Sequence, residues 1–328
     1  MDWTPTEMQT AIKGLAAQIL QDDPTNWDAL VDADLLGVED LLDQVTLLIE
    51  VGKTGARVPV LETLMLAWPL SRDGAEGVLT GALLEEGSRD LARPTTQVSD
   101  GRLHGSKVCV PAVDRASRLV LTAGDGIYVV DRTEITVEPQ VGTNDDPLGR
   151  VVLDGCPGER LAGLDLVPAW RQRVDLGIAA VQYGLAKTAV RLTAAYVRER
   201  KQFGRAIGTF QAVSQRAADA WIDLQALEVV LLQAAWRVQE GLEAERQVRI
   251  ARWWAAEATH RIVAAAQHLH GGFGFDRDYP LHRYFLTAKQ LEFVLGGANA
   301  QLHALGELVA RDGGIGAAPV AQQVGGQA

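Results

Sequence analysis

Apolar side chains recur every three or four positions between Thr6 and Leu20, at Met8, Ile12, Leu15 and Ile19. That spacing puts them on one face of a helix. Thr4-Pro5 marks its start, since proline has no amide hydrogen to lose in a first helical turn. The same period returns through Leu30, from Leu41 to Ile49 and from Val60 to Ala67, with breaks at Asp22-Asp23-Pro24 and from Gly52 to Pro59. A helical domain over 1–73 is predicted. From about Gly74 the period shortens, and β-rich runs follow at Lys107 to Val110, Leu119 to Thr122, Ile127 to Val130 and Val151 to Leu153. Asp100-Gly101 and Asp125-Gly126 have the composition of tight hairpin turns, which predicts a small antiparallel β domain over 74–164.

Helical spacing resumes after Pro168. Leu176, Ala180, Tyr183, Lys187, Val190 and Val197 share one face, as do Phe210, Val213, Ala217, Trp221, Leu224 and Leu227. Two further helices, from about Gln247 to Leu269 and from Leu281 to Val309, complete a predicted C-terminal four-helix bundle over 165–311. The fold class is therefore α+β. The tail, 312–328, has five glycines, four alanines and no aromatic side chain, so it is expected to be flexible.

Composition narrows the function. The chain has 42 acidic against 31 basic residues, a formal charge of −11, which repels a nucleic-acid backbone. Cys109 and Cys156 are too few for a disulfide framework and lack metal-ligand spacing, and no metal site is expected. The first residues have no basic or apolar leader, and no apolar run reaches about 18 residues, so a cytoplasmic protein without a membrane span is predicted.

Two segments carry the chemistry. Arg198 to Ile207 reads RERKQFGRAI and continues GTFQAV; His268 to Pro280 reads HLHGGFGFDRDYP and is followed by Leu281, His282 and Arg283. In order and separation they resemble the C-terminal signatures of acyl-CoA dehydrogenases, and weaker matches at Thr4 to Leu20, Leu30 to Gly37 and Asp100 to Val110 support the register. The resemblance implies FAD as cofactor, held at a subunit interface. It assigns Arg200 to the pyrophosphate, which suits a guanidinium fork that pairs two phosphate oxygens and keeps its charge. It assigns Phe203 to packing on the flavin and makes Gln202 a neighbouring polar candidate. Gly271, Gly272 and Gly274 match glycines that let main chain approach the adenosine half, although glycine also ends helices, and both roles are compatible. His268 stands where the family usually has glutamine. A Rossmann reading is excluded, because this glycine motif follows a helix. Metal binding by His268, His270 and His282 is disfavoured, since residues two apart on a helix point in different directions.

The departures matter as much. α,β-Dehydrogenation needs a carboxylate to take the α proton. The family seats a glutamate in one of two places, which fall here on Val174 and Leu295, so no catalytic residue is assigned. Asp175 adjoins the first place, but one residue turns a helix by about 100°, and a carboxylate near a helix N-terminus is the plainer reading. Glu292, a turn before Leu295, reads as a solvated or ion-paired residue. Leu83-Leu84-Glu85-Glu86-Gly87-Ser88-Arg89-Asp90 and Cys109-Val110-Pro111 replace the strands that hold the flavin ring and the thioester. The pattern resembles the short, base-less subunit of heterotetrameric actinobacterial acyl-CoA dehydrogenases of sterol side-chain degradation. It implies an α2β2 assembly with a full-length acyl-CoA dehydrogenase subunit, an acyl-CoA substrate and an electron-transfer flavoprotein as acceptor. Two other readings stay open: a homomeric dehydrogenase using a displaced base such as Asp175, and a flavin-free acyl-CoA-binding or scaffold protein.

Overall fold

The computed structural model describes residues 4–71 and 77–311; the expected boundary near 73 and the tail at 312–328 lie outside them. The N-terminal segment forms α1 (Glu7–Asp22), α2 (Trp27–Asp32), α3 (Leu41–Thr54), a π-turn (Glu62–Leu66) and α4 (Trp68–Ser71). Thr6 caps α1, rather than Pro5 opening it: the Gln9 amide donates to Thr6 Oγ1 at 3.1 Å, and the Thr6 amide donates to Gln9 Oε1 at 3.2 Å. Ile12, Ala16 and Leu20 then fall on the buried face, whereas Met8 and Leu15 stay exposed.

The middle segment holds two four-stranded sheets. One is ordered β1 (Leu79–Ala82), β4 (Arg118–Ala123), β5 (Gly126–Asp131), β8 (Glu159–Gly163); the other is ordered β2 (Gln97–Ser99), β3 (Arg102–Pro111), β7 (Pro147–Pro157), β6 (Thr136–Val141). The expectation of a purely antiparallel region needs one correction, because β1 runs parallel to β4 in the register Leu79 to Arg118. Asp100 and Gly101 both take the positive φ expected of them, 50° and 72°. The second turn slips by one residue: Ala123 pairs with Gly126, so Gly124 and Asp125 form the loop and Gly124 carries the positive φ of 51°.

A buried ion pair locks the divergent strand. Glu85 Oε1 accepts from Lys107 Nζ at 2.6 Å and from Thr96 Oγ1 at 2.6 Å, while Oε2 accepts from the Thr95 amide at 2.6 Å. Lys107 completes its shell on the Thr122 carbonyl at 2.7 Å. Burial pushes the Glu85 carboxyl up, but these donors outweigh it and hold it at about 2.

The C-terminal segment contains α5 (Val167–Glu199), a small hairpin of β9 (Lys201–Gln202) and β10 (Arg205–Ala206), α6 (Gln211–Gln239), α7 (Glu245–His270), α8 (Leu281–Phe293) and α9 (Ala298–Arg311). The single helix expected from Leu281 to Val309 is broken between α8 and α9, where Leu295 and Gly296 take φ of 57° and 101°. α3 crosses α5 with main chain against main chain. A Cβ on Gly52 would meet the Val181 carbonyl oxygen, and one on Gly184 would meet that of Ile49. N-terminal and C-terminal helices consequently share one core, and the β region keeps a second around Leu103, Leu119, Leu121 and Val151. On α6, Leu224 and Leu227 enter the core as their spacing predicts. Trp221 does not: it is 52 % exposed, beside exposed Ile222 and Val229.

Candidate functional site

The candidate cofactor residues gather where α5 and α7 end. Arg200 leaves the helix with φ −66° and ψ 122°, its amide still donating to Tyr196 O at 2.9 Å. The β9–β10 hairpin turns through Phe203 and Gly204, both at positive φ (51° and 78°). That conformation is costly for a phenylalanine, and the ring it presents is 93 % exposed, touching Phe210 edge-on at 6.2 Å between centroids. α7 stops at Gly271 (φ 58°), and a 3-10 turn, Gly271–Phe275, follows.

Between the two ends lies a cleft of about 520 Å³ lined by Arg200, Gln202, His268, Gly271 and Gly272. Phe203 is not in its wall and points away from the chain's own surface. Arg200 is exposed and has no side-chain hydrogen bond or ion pair among the described residues. Beside Gly271 and Gly272 there is open space, whereas a Cβ on Gly274 would strike the Gln267 carbonyl oxygen, so Gly274 serves packing.

His270 also lines the cleft, and sequence reasoning considered it only as a metal ligand. Its ring is 2 % exposed and stacks on Tyr196 at 4.5 Å between centroids. Nδ1 lies 2.8 Å from Ala266 O and must donate there, since a carbonyl only accepts. Nε2 is then a bare acceptor, buried and without a partner among the described residues. Burial lowers the pKa of the ring, favouring this neutral form. Among the described residues no cluster of three His, Cys, Asp or Glu side chains is arranged to hold a metal.

The two positions that the resemblance ties to proton abstraction are filled by apolar side chains. Val174 and Leu295 are both buried hydrocarbon. Asp175 is 1 % exposed and accepts from Arg171 Nε at 2.8 Å, with Arg252 Nε at 3.7 Å and Arg249 Nη1 at 3.9 Å. It sits in the third turn of α5, too far from the helix start for the macrodipole reading to hold. Arg252, fully buried, donates to the carbonyls of Leu291 (3.0 Å) and Val294 (2.8 Å) and to Gln182 Oε1 (3.1 Å). Arg171 and Gln301 reach the Leu295 carbonyl at 3.4 and 3.1 Å. The α8–α9 break is thus pinned by the cluster that engages Asp175. Glu292 is ion-paired with Lys289, and His260 Nδ1 lies 3.2 Å from its carboxylate.

The divergent strands meet the helices across a second cavity, of about 560 Å³, whose wall includes Leu83, Leu84, Cys109 and Pro111. The Cys109 amide is turned to Gln140 Oε1 at 2.8 Å, and the Pro111 carbonyl accepts from Thr80 Oγ1 at 2.7 Å.

Residues 173–309 match the family model for the acyl-CoA dehydrogenase C-terminal domain. The chain is 33 % identical to acyl-CoA dehydrogenase FadE27 of Mycobacterium tuberculosis, over 94 % of this chain and 99 % of that protein. The chain belongs to the acyl-CoA dehydrogenase family. Acyl-CoA dehydrogenase FadE28 of the same organism is also 33 % identical, over 93 % of this chain and 98 % of its own length. Among solved structures, a variant of the Tcur3481–Tcur3483 steroid ACAD aligns with TM-score 0.87 and 36 % identity, over 93 % of this chain and 98 % of the other. The ChsE4–ChsE5 complex from Mycobacterium tuberculosis aligns with TM-score 0.87 and 33 % identity, over 94 % and 99 %. Butyryl-CoA dehydrogenase from Megasphaera elsdenii, at 20 % identity and TM-score 0.82, shares the fold. The family's cofactor is FAD. The cleft fits part of it: an unpaired guanidinium, two side-chain-free positions facing open space and one buried imidazole nitrogen awaiting a donor suit an anionic group flanked by hydroxyls. No helix of the described residues is long and apolar enough to cross a membrane.

Proposed function

We propose that this chain is the base-less subunit of a heteromeric, α2β2 acyl-CoA dehydrogenase, completing the FAD site of a full-length partner subunit. FAD, when bound, takes up the hydride released from the β carbon of the acyl-CoA. This chain's share is binding: Arg200 pairs pyrophosphate oxygens, Gly271 and Gly272 admit the adenosine half against bare main chain, and Gln202 and His268 add polar contacts at the rim. Phe203, held out on its strained turn, packs against the flavin bound across the subunit seam. The observation that carries this reading is the contrast between an Arg200 left unpaired at an open cleft and buried hydrocarbon at both glutamate positions. The exposed Trp221, Ile222 and Val229 on α6 offer an apolar face of the kind that subunit contacts cover. Kinship with a steroid ACAD and with the ChsE4–ChsE5 complex supports a heteromeric enzyme acting on a steroid side-chain CoA ester. Electrons leave to an electron-transfer flavoprotein, as the family resemblance implies.

Co-expression with a full-length acyl-CoA dehydrogenase subunit, followed by native mass and flavin-to-protein ratio, tests the proposal. A heterotetramer that loses most of its flavin with Arg200→Ala here is the expected result. A yellow homomer of this chain that reduces its own FAD with an acyl-CoA would overturn it.

A further inference from the structure

The corner that pins the α8–α9 break holds four side chains at most 1 % exposed: Asp175 and Gln182 on α5, Arg252 on α7 and Gln301 on α9. Each keeps one buried polar atom without a hydrogen bond among the described residues. The orientation of both amides follows from their partners. Arg252 Nη1, which only donates, lies 3.1 Å from Gln182 Oε1, so Gln182 Nε2 is left over. The Leu295 and Gly296 carbonyls, which only accept, lie 3.1 and 3.0 Å from Gln301 Nε2, so Gln301 Oε1 is left over. Arg252 Nε and Asp175 Oδ1 face each other at 3.7 Å, beyond the range of a direct hydrogen bond. Two donors and two acceptors therefore remain in one buried corner.

That tally selects the chemistry of what completes it. An anion would suit Arg252 Nε and Gln182 Nε2 and be repelled by Asp175 Oδ1; a cation would suit Asp175 Oδ1 and Gln301 Oε1 and be repelled by Arg252. The charges around the corner leave no opening for either. Arg171 is held on Asp175 Oδ2 at 2.8 Å, Arg249 lies between Asp175 and Glu245 at 3.9 Å from each, and Glu292 is held by Lys289. A neutral molecule that both donates and accepts satisfies all four atoms, and polar atoms buried this deeply cost stability until they are satisfied. The molecule has to be small, because none of the four residues lines either cavity. Water has the required size and valence, and a buried water makes about three hydrogen bonds. Two contacts of about 2.9 Å each close a triangle over the gap between Arg252 and Asp175.

We propose that this corner is an internal water site: a water accepts from Arg252 Nε and donates to Asp175 Oδ1, and Gln182 Nε2 and Gln301 Oε1 complete the hydrogen-bonded set. The water joins α5 to α7 where the two ions do not touch. Through Arg252 and Gln301, which hold the Val294, Leu295 and Gly296 carbonyls, it also steadies the break on which Leu295 sits. It takes up the remaining oxygen of Asp175 and is walled off from both cavities. The inference rests on this chain's own buried atoms and stands apart from the FAD assignment.

A crystal structure of the full chain, alone or co-expressed with its partner subunit, tests it at a resolution that shows ordered solvent. Density for a water within about 3.2 Å of both Arg252 Nε and Asp175 Oδ1 is expected, with no anomalous signal there after a bromide soak. Asp175→Glu, one methylene longer, should close the gap onto Arg252 and expel the water. In solution, oxygen-17 relaxation dispersion should count one long-lived water fewer in that variant than in wild type. The proposal is overturned if Arg252 Nε bonds Asp175 directly with no density between them, if bromide occupies the corner, or if Asp175→Glu keeps the same density and the same count. Should Asp175→Glu not fold, the wild-type density and the bromide soak decide alone. None of these readouts is flavin content or assembly mass, so this proposal and the subunit assignment can fail separately.

Discussion

The cleft at the end of α7 and the corner at the α8–α9 break are built from similar materials and finished in opposite ways. Both contain arginine, a glycine at positive φ and a side chain buried with a polar atom. At the corner, Arg252 and Arg171 are consumed by Asp175 and by the carbonyls of the break. In the cleft, Arg200 has no hydrogen bond or ion pair among the described residues and His270 Nε2 is left without one; at the corner Asp175 Oδ1 and Arg252 Nε also lack a hydrogen bond, but they face each other as an ion pair at 3.7 Å. Buried or strongly charged polar groups are costly without partners. The closed set therefore reads as architecture and the open set as a place for a ligand. Asp175 belongs to the first kind, which argues against it as a displaced base.

The comparison breaks most visibly at Arg252. Arg252→Ala strips three carbonyls of a donor and Asp175 of an ion-pair partner at once, and a loss of about 3–5 kcal/mol is expected in denaturant unfolding. Asp175→Asn should likewise lower stability. If instead it left the denaturation midpoint in place and abolished turnover of the assembled enzyme, Asp175 would be chemical after all. A second closed set, Glu85 with Lys107, sharpens the point through pH. The folded pKa of Glu85, about 2, lies below its ordinary value, so its contribution is full above about pH 4.5 and is lost as pH falls toward 2. The lowered pKa of Lys107 opposes folding almost equally across that window and does not move it. Acid unfolding monitored by near-ultraviolet circular dichroism should shift to higher pH in Thr96→Val, which removes one of the donors to Glu85.

In the open cleft the effects fall on cofactor retention rather than stability. Arg200→Lys keeps the charge but not the fork, and flavin in the co-expressed complex should be held about ten-fold more weakly, with unfolding unchanged. His270→Phe preserves the stack on Tyr196 and removes Nε2. A few-fold weaker flavin retention is the expected outcome, and no change at all would return His270 to a packing role.

Much of this was legible along the chain. The order of helices and strands followed from periodicity, because a helix or strand face is a local property. The two C-terminal motifs announced the cleft, because the turns that end α5 and α7 are short and carry their own glycines. Less was legible where partners are distant. Gly296-Gly297 signalled the break that splits the last predicted helix, but the apolar spacing on either side masked it. Arg252 drew no reading from the sequence, since nothing near it along the chain shows that five groups converge on it. Trp221 shares the apolar face with Leu224 and Leu227 by spacing, which marks such a face without naming what covers it.

Asp175 shows the division between the two sources. Residue types and their periods determined that the chain makes an α+β fold, and the resemblance carried by two motifs pointed to Arg200, Gly271 and Gly272 and to Val174 and Leu295. Only the tertiary structure decided that the Asp175 carboxylate is spent on arginines. Asp175 meets arginines from α5 and α7. The charge state and use of a carboxylate depend on what surrounds it within a few ångströms, and folding brings those neighbours from sequence positions that no local pattern connects.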